Sequence, residues 1–509
     1  MPHISLSRRR GHSWPMTSGE VGPSRLTNDN SIDVLIDSQV TLANLVDAIS
    51  NAASTVYLTQ LEFQPHFVAV YDAAPTPVLE TPKPKDVLTD VLCRVAQKNA
   101  VRVFILLNQN LVLPDSLDAI RDAFEGTGVC VRGFPTSGPH VMHAKVLIVD
   151  EKEAFVIGSP FRQDYWDGSD HMIYDRRRGS GDVQPKHDVS LRLRGGAVTH
   201  VTEYFVQLWN YVSHTQFEGK GEIKLPVPCP PPAGSQSVKI VRSVTPRTLT
   251  RKGEAGILEA YRRAIGSARD FVYLENQYFT SRPIVSALRS ALKRNSDLQV
   301  ILLINENPDV PSYRLRQHDA LKRLGLDIKQ PLLKHPCIGV FALWSRGFEG
   351  ERLTLRRCYV HSKIGIVDDV WTTIGSANLD GPSLDRAEEF KPFANPRKHR
   401  SMELNAILLN PDNPKDASVA QFRQSLWREH LEAEEALVSR PSGGWLALWK
   451  KIAMDNVASL NSQRPTLNGR ILPYSTQANS RKELTALGVS TDQINVIEDP
   501  FLGPLTQTA

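Results

Sequence analysis

The 509-residue sequence predicts an α/β protein of two similar halves related by a pseudo-twofold axis, each with a mixed, mostly parallel sheet flanked by helices. Three observations lead to this prediction. The pattern His-x-Lys-x4-Asp occurs twice, beginning at His143 and at His361, which lie 218 positions apart. An Ile-Gly-Ser triplet follows each copy, at residues 157–159 and 374–376. In both halves short apolar runs alternate with amphipathic segments, as expected of βαβ units.

Further matched segments show that the duplication extends beyond the motif. Residues 57–63 (Tyr-Leu-Thr-Gln-Leu-Glu-Phe) correspond to residues 273–279 (Tyr-Leu-Glu-Asn-Gln-Tyr-Phe), with an offset of 216. The Leu-Trp pair at 208–209 corresponds to that at 426–427, with an offset of 218. Solenoid repeats are much shorter, roughly 20–50 residues. The sequence therefore predicts two copies of one domain.

The elements of the first half follow from local patterns. Residues 1–30 mix Ser, Arg, Pro, Gly and Asn without periodicity and are expected to form a disordered arm. An apolar stripe that includes Leu42, Leu45 and Ile49 predicts a helix from Val40. The next predicted elements are a strand at Thr55–Phe63, a helix at Val87–Asn99, a strand at Val101–Leu107, a helix at Ser116–Phe124, a strand at Val129–Phe134, a central strand at Val146–Val149 covered on both faces, and a helix at Val198–Tyr211.

The remaining chain divides by composition. Residues 31–220 form the predicted first half, and the Pro-rich stretch 221–237 is expected to be a stiff linker. Residues 238–437 repeat the scheme as the second half. Residues 438–509 lie outside the repeat and are expected to be mostly loop, apart from Trp445–Met454.

Composition excludes several classes of protein. The formal net charge of +5 does not indicate an obligate nucleic-acid-binding protein. The sequence contains no apolar window of about 18 residues that would predict a membrane-spanning helix, and no apolar segment after Arg8–Arg10 that would predict a signal peptide. Five scattered cysteines without a Cys-x-x-Cys pair predict neither a disulfide framework nor a structural zinc site. The expected location is cytoplasmic or peripheral at a membrane.

The paired motifs resemble the signature of the phospholipase D superfamily, over about residues 32–431. The segments Glu275–Phe279 and Ile374–Asp380 are similar to those of phospholipases proper. The resemblance implies two phospholipase D-type domains in one chain, with the active site at their interface. It further implies a phosphohistidine intermediate, no cofactor and no metal.

The motif residues suit phosphoryl transfer. Residues two apart on a strand share a face, so His143 and Lys145 are expected to point the same way, as are His361 and Lys363. An imidazole can act as nucleophile or general acid near neutral pH, and a lysine neutralises phosphate oxygens. The resemblance implies that both pairs act on one phosphate, with His143 as the nucleophile and His361 as the acid. Phe161, at the position matched to Asn378, is expected to make the surroundings of His143 drier and so to favour its neutral form.

Further site residues follow from the resemblance. An acid on a later strand of each half is implied to orient a histidine through its second nitrogen. The candidates are Asp188 and Glu403, for which surface salt bridges are the alternative. Asp150 and Asp368 are expected to face away from the lysines and to have a structural role. The predicted substrate-binding residues are Ser159, Ser376, Asn378, Asn276 and Gln277; for the last two, a polar strand end is the alternative.

The stretch from Phe161 to Arg178 combines aromatic and basic side chains. Such side chains favour membrane interfaces, so the stretch is expected to govern action at membranes. The alternative for Arg176–Arg178 is a solvated loop.

The predicted function is hydrolysis of phospholipid head groups to phosphatidic acid, with transfer to other alcohols. The expected partners are phospholipid and a membrane surface, with no obligate nucleic acid, and the chain is expected to be a monomer. The alternatives are a cardiolipin-synthase-like phosphatidyltransferase, a nuclease of the same superfamily, and a non-enzymatic module that binds anionic lipid. Strong salt-dependent DNA binding would favour the nuclease, and binding without turnover would favour the module.

Overall fold

The structure, a computed structural model, describes residues 22–499 with several gaps. The residues left out within this range are 73–81, 99, 111–114, 137–139, 180–181, 311, 330–332, 385–399, 411–417, 435–437, 440, 442 and 478. Most of the predicted N-terminal arm, residues 1–21, lies outside the described residues.

The first half alternates strands and helices in the predicted order. Its strands are β1 (Thr27–Ile36), β2 (Thr55–Gln60), β3 (Val68–Tyr71), β4 (Pro84–Val87), β5 (Arg102–Gln109), β6 (Cys130–Pro135), β7 (Val146–Val149), β8 (Glu153–Val156), β9 (Lys186–His187) and β10 (Val189–Arg194). Its helices are α1 (Ser38–Ser50), α2 (Leu88–Ala96), α3 (Asp115–Ala123) and α4 (Ala197–Gln216). The predicted helices and strands of this half are confirmed to within a few residues.

The second half repeats this order and adds elements after it. Its strands are β11 (Gln236–Val244), β12 (Glu254–Ala255), β13 (Phe271–Asn276), β14 (Gln299–Ile304), β15 (Ile338–Glu349), β16 (Arg352–Arg357), β17 (Tyr359–Val360), β18 (Lys363–Val367), β19 (Trp371–Gly375), β20 (Glu403–Leu409), β21 (Ile471–Pro473) and β22 (Asn495–Val496). Its helices are α5 (Gly256–Ser267), α6 (Arg282–Arg294), α7 (Tyr313–Arg323), α8 (Gly381–Leu384), α9 (Ser418–Leu431), α10 (Trp445–Leu460) and α11 (Ser480–Ala486).

The strand order has the same sequence in both halves when counted outward from the junction of β1 and β11. The first half runs β1-β10-β8-β7-β2-β5-β6. The second half runs β11-β20-β19-β18-β13-β14-β15. β1 pairs with β11 and joins the halves into one large mixed sheet. This matched order is what a pseudo-twofold relation requires, and the predicted α/β class with flanking helices is confirmed.

The prediction that the sheets are mostly parallel is wrong. Within the matched series of described strands, the outer three strands of each half run parallel, β2-β5-β6 and β13-β14-β15. The other pairings of the two series are antiparallel, including β7 with β8 and β18 with β19, which tight turns join. A strand covered on both faces gives the same continuous apolar run in either orientation, so the run could not reveal the direction.

Two further segments differ from the sequence prediction. β1 begins at Thr27, inside the predicted arm. Its first residues, Thr-Asn-Asp-Asn-Ser, are polar and do not show a strand pattern, but β1 is stabilised by pairing with β10 and β11. After residue 438, α10 packs into the core and β21 pairs with β15. The segment Trp445–Met454, which we set apart from the loop-like tail, forms the first part of this helix, and the helix extends to Leu460. None of the described helices is both long and apolar enough to cross a membrane.

Candidate active site

The aspartate of each motif lies in a tight turn immediately after a central strand. Asp150 and Glu151 between β7 and β8 have φ values of 54° and 56°, and Asp368 and Asp369 between β18 and β19 have the same values. A backbone hydrogen bond closes each turn, giving the type I′ geometry whose twist matches that of a hairpin. Aspartate tolerates this left-handed conformation better than most residues. The short strand and the turn that follows it therefore explain why the lysine and the aspartate are five positions apart in both motifs.

The same aspartates bind the start of the neighbouring strand. The Asp150 carboxylate accepts the backbone N–H groups of residues 53–55 at 2.7 to 3.2 Å. The Asp368 carboxylate accepts those of residues 269–271 at 2.7 to 2.9 Å. The structure thus places both side chains away from the lysines, in the structural position expected from the sequence.

Each motif docks on the other half of the molecule. The backbone N–H groups of His143 and Ala144 donate to the carbonyl of Met402 at 2.9 and 2.8 Å. Those of His361 and Ser362 donate to the carbonyl of His187 at 2.8 and 3.2 Å. In each motif the histidine precedes the regular strand, because its backbone is paired with the opposite half.

This exchange places the carboxylate of one half against the imidazole of the other. Nδ1 of His143 lies 2.9 Å from Oε2 of Glu403, and Nδ1 of His361 lies 2.6 Å from Oδ2 of Asp188. All four side chains are buried. A carboxylate on Nδ1 keeps the proton there and leaves Nε2 for chemistry. Asp188 and Glu403 are therefore not surface salt bridges, and the exchange between halves was not predicted.

Ser159 and Ser376 complete the two groups. Ser159 Oγ donates to Oδ2 of Asp188 and Ser376 Oγ donates to Oε2 of Glu403, both at 2.5 Å. We expected these hydroxyls to bind phosphate. The structure instead directs their protons to the carboxylates, so they position the carboxylates that position the histidines.

The two lysines are buried and contact the backbone of their own motifs. Lys145 Nζ donates to the carbonyl of His143 at 3.0 Å, and Lys363 Nζ donates to that of His361. Burial lowers the pKa of Lys145 to about 8. Burial and the nearby charge of Lys145 lower the pKa of Lys363 to about 7. The nearby carboxylates thus do not fully offset the cost of burying these two ammonium groups, which favours binding of an anion.

The histidines are held in the neutral form. Burial and the charge of Lys145 lower the pKa of His143. Burial and the charge of Lys363 lower the pKa of His361 to about 3. Burial opposes ionisation of Asp188, but the contact with His361 outweighs it and the pKa of this carboxyl is lowered. Two neutral imidazoles with Nδ1 oriented by carboxylates suit a nucleophile and a proton acceptor.

Two buried amides lie beside the lysines. Asn276 is directly opposite Lys363 in the sheet, and Gln60 is opposite Lys145 one position beyond the last paired residues. Among the residues that the structure describes, Nδ2 of Asn276, both amide atoms of Gln60 and Oδ1 of Asn378 have no hydrogen-bond partner. Buried polar groups of this kind are normally satisfied, so they suit a ligand. Gln60 was missed, although its match to Asn276 in the repeat could have identified it.

Gln277 differs from the other predicted substrate-binding residues. Its Nε2 donates to the hydroxyls of Tyr278 and Tyr359 at 2.9 and 3.3 Å. Asn276 ends β13, so the next side chain leaves the strand in another direction. The structure therefore places Gln277 in a tyrosine network.

The sequence argument for asymmetry used the wrong correspondence. Phe161 bridges to Phe63 as Leu379 bridges to Phe279, so Phe161 corresponds to Leu379 and not to Asn378. Phe161 packs in the core, and its ring centroid lies 5.4 Å from that of Phe63. Because the carboxylates are exchanged, the Ile-Gly-Ser segment of the first half adjoins His361. The expected drier environment of His143 is therefore not produced by Phe161.

The stretch from Phe161 to Arg178 is only partly the exposed surface that we expected: Tyr174 and Arg176 are exposed, whereas other aromatic and basic side chains are buried. Trp166 is 2% exposed and Arg178 is 1% exposed. Arg178 pairs with Asp167 at 2.8 Å, and Arg177 pairs with Asp175 at 2.8 Å. These charges are neutralised internally, so they are not available to an anionic membrane. From the same stretch, the ring of Tyr165 packs edge-on against His361, 4.8 Å between centroids.

Family models match the second half of the chain. The model described as "Cardiolipin synthase, PLD-like domain" matches residues 261–395. The model described as "Phospholipase D" matches residues 348–489.

Curated relatives match over most of the chain at low identity. "Phospholipase D A" of Dictyostelium discoideum is 24% identical over 464 residues, which cover 79% of this chain and 35% of that protein. "Phospholipase D alpha 1" of Zea mays is 24% identical over 540 residues, covering 78% and 64%. "Cardiolipin synthase 1" of Staphylococcus epidermidis is 23% identical over 442 residues, covering 82% and 72%. The chain thus spans about a third of the first relative and under two thirds of the second.

A solved structure supports the fold. The crystal structure of phosphatidylserine synthase from Haemophilus influenzae superposes with a TM-score of 0.51 at 12% identity, covering 84% of this chain and 94% of that one. The duplicated fold, the paired motifs and the family matches agree, and the chain belongs to the phospholipase D superfamily.

Proposed function

We propose that the chain is a phospholipase D-type phosphodiesterase, which hydrolyses a phospholipid on the head-group side to phosphatidic acid and a free alcohol. The observation that carries this proposal is the exchanged pair of groups, Glu403 on His143 and Asp188 on His361. The two motifs thereby supply two oriented imidazoles and two lysines to one site. Because one chain supplies both motifs, the proposed functional unit is a monomer acting at a phospholipid surface.

The first step is attack of His143 Nε2 on phosphorus. A nitrogen–phosphorus bond forms, the bond from phosphorus to the head-group oxygen breaks, and His361 Nε2–H gives its proton to the leaving oxygen. The products are a phosphatidyl-histidine and the head-group alcohol. In the second step water loses a proton to His361 and attacks phosphorus, and the nitrogen–phosphorus bond breaks to give phosphatidic acid.

Binding of the substrate favours the protonated His361 that the first step needs. The phosphodiester is an anion, so its approach favours the charged forms of both lysines and of His361. His361 then takes up a proton from solvent and can act as the acid. The lysines and the free amides of Gln60 and Asn276 hold the equatorial oxygens as charge develops. His143 is slightly more exposed than His361, 9% against 3%, which is consistent with its assignment as the nucleophile.

A second candidate is phosphatidyl transfer in the manner of a cardiolipin synthase. The observation that favours it is the match to "Cardiolipin synthase 1", which covers 82% of this chain and 72% of that protein. The chemistry differs only in the second step, where the hydroxyl of another lipid replaces water. Partition of the covalent intermediate between water and alcohols decides between the two functions.

The test is an assay of purified protein on a panel of phospholipids, with and without phosphatidylglycerol or a primary alcohol as acceptor. Released head groups and phosphatidic acid support hydrolysis, and cardiolipin as the main product supports transfer. His143→Ala, Lys145→Ala, His361→Ala and Lys363→Ala should each abolish turnover. His200→Ala, which removes a histidine paired with Glu203 on α4, is the matched control and should have little effect. Near-normal activity in any of the four variants would contradict the shared site, and turnover confined to DNA would support the nuclease.

A further inference from the structure

A buried group of histidines and carboxylates lies next to the His361–Asp188 pair. Asp37, His171 and His187 come from the first half, and Glu429 comes from α9 of the second half. Nδ1 of His187 lies 3.0 Å from Oδ1 of Asp37 and 3.0 Å from Oε1 of Glu429. Nε2 of His171 lies 3.4 Å from Oε1 of Glu429 and 3.7 Å from Oδ2 of Asp37. The two rings therefore direct one nitrogen each to the same pair of carboxylates.

The opposite nitrogens of the two rings face other carboxylates. Nδ1 of His171 is hydrogen-bonded to Oδ2 of Asp167 at 3.0 Å. Nε2 of His187 lies 2.9 Å from Oε1 of Glu275. These outer carboxylates have cationic partners of their own, Arg178 on Asp167 at 2.8 Å and His430 on Glu275 at 3.0 Å. The charge of the outer carboxylates is thus accounted for, whereas that of Asp37 and Glu429 depends on what lies between the rings.

Hydrogen bonds explain only part of the inner contacts, since Nε2 of His171 is hydrogen-bonded to Oε1 of Glu429 at 3.4 Å. Within the described part of the chain, neither ring nitrogen of His187 meets an acceptor at a hydrogen-bond angle, although the side chain is fully buried. Nδ1 of His187 points between two oxygens at equal distance, and the 3.7 Å contact of His171 is too long for a hydrogen bond. An N–H group can serve one acceptor well, but a nitrogen lone pair aimed between ligand atoms suits a cation.

We propose that Asp37, His171, His187 and Glu429 bind one divalent transition-metal ion, with zinc as the best fit. A tetrahedral ion with bonds of about 2.0–2.1 Å separates its ligand atoms by roughly 3.3 Å. Oε1 of Glu429 lies 3.0 and 3.4 Å from the two ring nitrogens, and the two oxygens of Asp37 lie 3.0 Å (Oδ1) and 3.7 Å (Oδ2) from them, on either side of this value. Imidazole ligands favour zinc and similar metals over calcium and magnesium, which prefer oxygen. The outer carboxylates supply the histidine–carboxylate pairs that accompany such ligands.

The ion would position the catalytic pair without contacting the substrate. The carbonyl of His187 accepts the N–H groups of His361 and Ser362. The N–H of Asp37 donates to the carbonyl of Asp188 at 2.8 Å, and the N–H of Asp188 donates back to Oδ1 of Asp37 at 3.3 Å. An ion fixed to Asp37 and His187 therefore holds the backbone that orients Asp188. Since Glu429 belongs to the second half, the same ion fastens the halves together.

Among the described residues, the corresponding position beside His143 has no matching group of ligands. His143 docks on the carbonyl of Met402, which takes the place that His187 has opposite His361. Met402 is an apolar residue and offers no comparable ligand, so one ion per chain is expected rather than two.

The test measures metal content rather than turnover, so its outcome is separate from that of the activity assay. Protein purified without a metal-affinity step is analysed for transition metals by mass spectrometry. About one ion per chain is expected. Protein refolded with Co²⁺ should show the visible absorption bands of a four-coordinate site, and protein refolded with a chelator should unfold at a lower temperature than protein refolded with Zn²⁺.

Variants locate the ion. His171→Ala and Glu429→Gln should reduce the metal content to a small fraction of one ion per chain, whereas the matched control His200→Ala should retain it. If these variants fail to fold, the wild-type metal content and cobalt spectrum decide the matter. Metal well below one ion per chain, in both the purified protein and protein refolded with Zn²⁺, would overturn the proposal in favour of a network of charged imidazoles. Full metal content in folded His171→Ala protein would overturn it as well.

Discussion

At the scale of single residues, each carboxylate acts on the histidine of the opposite half. Glu403 follows Met402, whose carbonyl accepts the backbone N–H of His143. Asp188 follows His187, whose carbonyl accepts the backbone N–H of His361. Because each carboxylate directly follows the residue on which the motif docks, its side chain lies beside the histidine of that motif. Substitution of one carboxylate should therefore impair the histidine that lies 173 or 260 positions away.

The proposed roles of the two histidines predict different responses to these substitutions. Asp188→Asn and Glu403→Gln should each lower kcat on a phospholipid by roughly 10²- to 10⁴-fold. With a p-nitrophenyl ester, whose leaving group needs no proton, the burst of p-nitrophenol from Asp188→Asn should recover most of its rate, because the first step no longer needs the acid. The second step still needs His361 as the base and should stay slow. Glu403→Gln should not recover, because it impairs the nucleophile.

Steady-state and burst kinetics on both substrates make this measurement. Asp33→Asn, at a half-exposed carboxylate paired with Arg194, serves as the control and should leave both rates unchanged. Recovery of Glu403→Gln alone would reverse the roles of His143 and His361.

At the scale of elements, the turn after each motif strand determines how the motif is built. Asp150 combines a left-handed backbone with three acceptor contacts to the start of β2. Asp368 does the same for β13. The aspartate therefore has two roles: it adopts the left-handed turn conformation, and its carboxylate accepts the N–H groups of the neighbouring strand. Only the second role depends on the charge of the side chain.

The two functions can be separated by substitution at Asp150. Asp150→Asn keeps a residue that tolerates positive φ and should lower the free energy of unfolding by about 1–2 kcal/mol, through weaker hydrogen bonds. Asp150→Ala loses the acceptor and strains the turn, and should cost about 3 kcal/mol or more. Denaturant unfolding measures both values, with kcat of the folded protein retained. Equal effects of the two variants would show that the turn conformation contributes little.

The segment after residue 438 is a second element whose role the structure defines. Trp449 on α10 is fully buried against Trp427, Phe341 and Tyr273, with ring centroids 5.1 to 5.5 Å away. Through Trp449, α10 packs against β13, β15 and α9 of the second half.

Trp449→Ala should therefore lower the free energy of unfolding by about 3–5 kcal/mol, since it opens a large cavity in the core. Met454→Ala, on the same helix but half exposed, is the matched control and should change it by less than about 1 kcal/mol. A small effect of Trp449→Ala in thermal or denaturant unfolding would show that α10 is not part of the cooperative core.

At the scale of the whole molecule, the buried lysines oppose folding so that the site can bind an anion. The pKa of Lys363 falls from its ordinary 10.5 to about 7 in the folded protein. Between these values the unfolded chain binds more protons than the folded one, so the free energy of unfolding rises with pH in that window. Below about pH 7 the full cost of the buried charge is present.

This linkage predicts how stability depends on pH. The difference in free energy of unfolding between wild type and Lys363→Met should shift in favour of wild type by about 1.4 kcal/mol per pH unit from pH 7 to 9. Denaturant titrations at several pH values measure it. Lys451→Met, at an exposed lysine, is the control. A difference that does not change with pH would show that Lys363 keeps its proton in the folded protein.

The sequence by itself determined the duplication, the α/β class, the elements of the first half and the histidines and lysines of the motif. These depend on local patterns: the period of apolar residues, and a spacing fixed by one strand and its turn. The pairing of Asp188 and Glu403 across the halves does not depend on any local pattern. It follows from which carbonyl each motif docks on, and only the packed molecule decides that.

The tertiary structure also decided which polar residues are buried together. His187 lies in a two-residue strand and His171 in an irregular loop, and nothing near either in sequence marks it as special. Their partners at positions 37, 275, 429 and 430 come from both halves. The same holds for Trp166 and Arg178, which composition placed at the surface and which internal partners bury. Local sequence records the chemistry of a side chain, whereas its burial and its partners are set by chain segments far away in sequence.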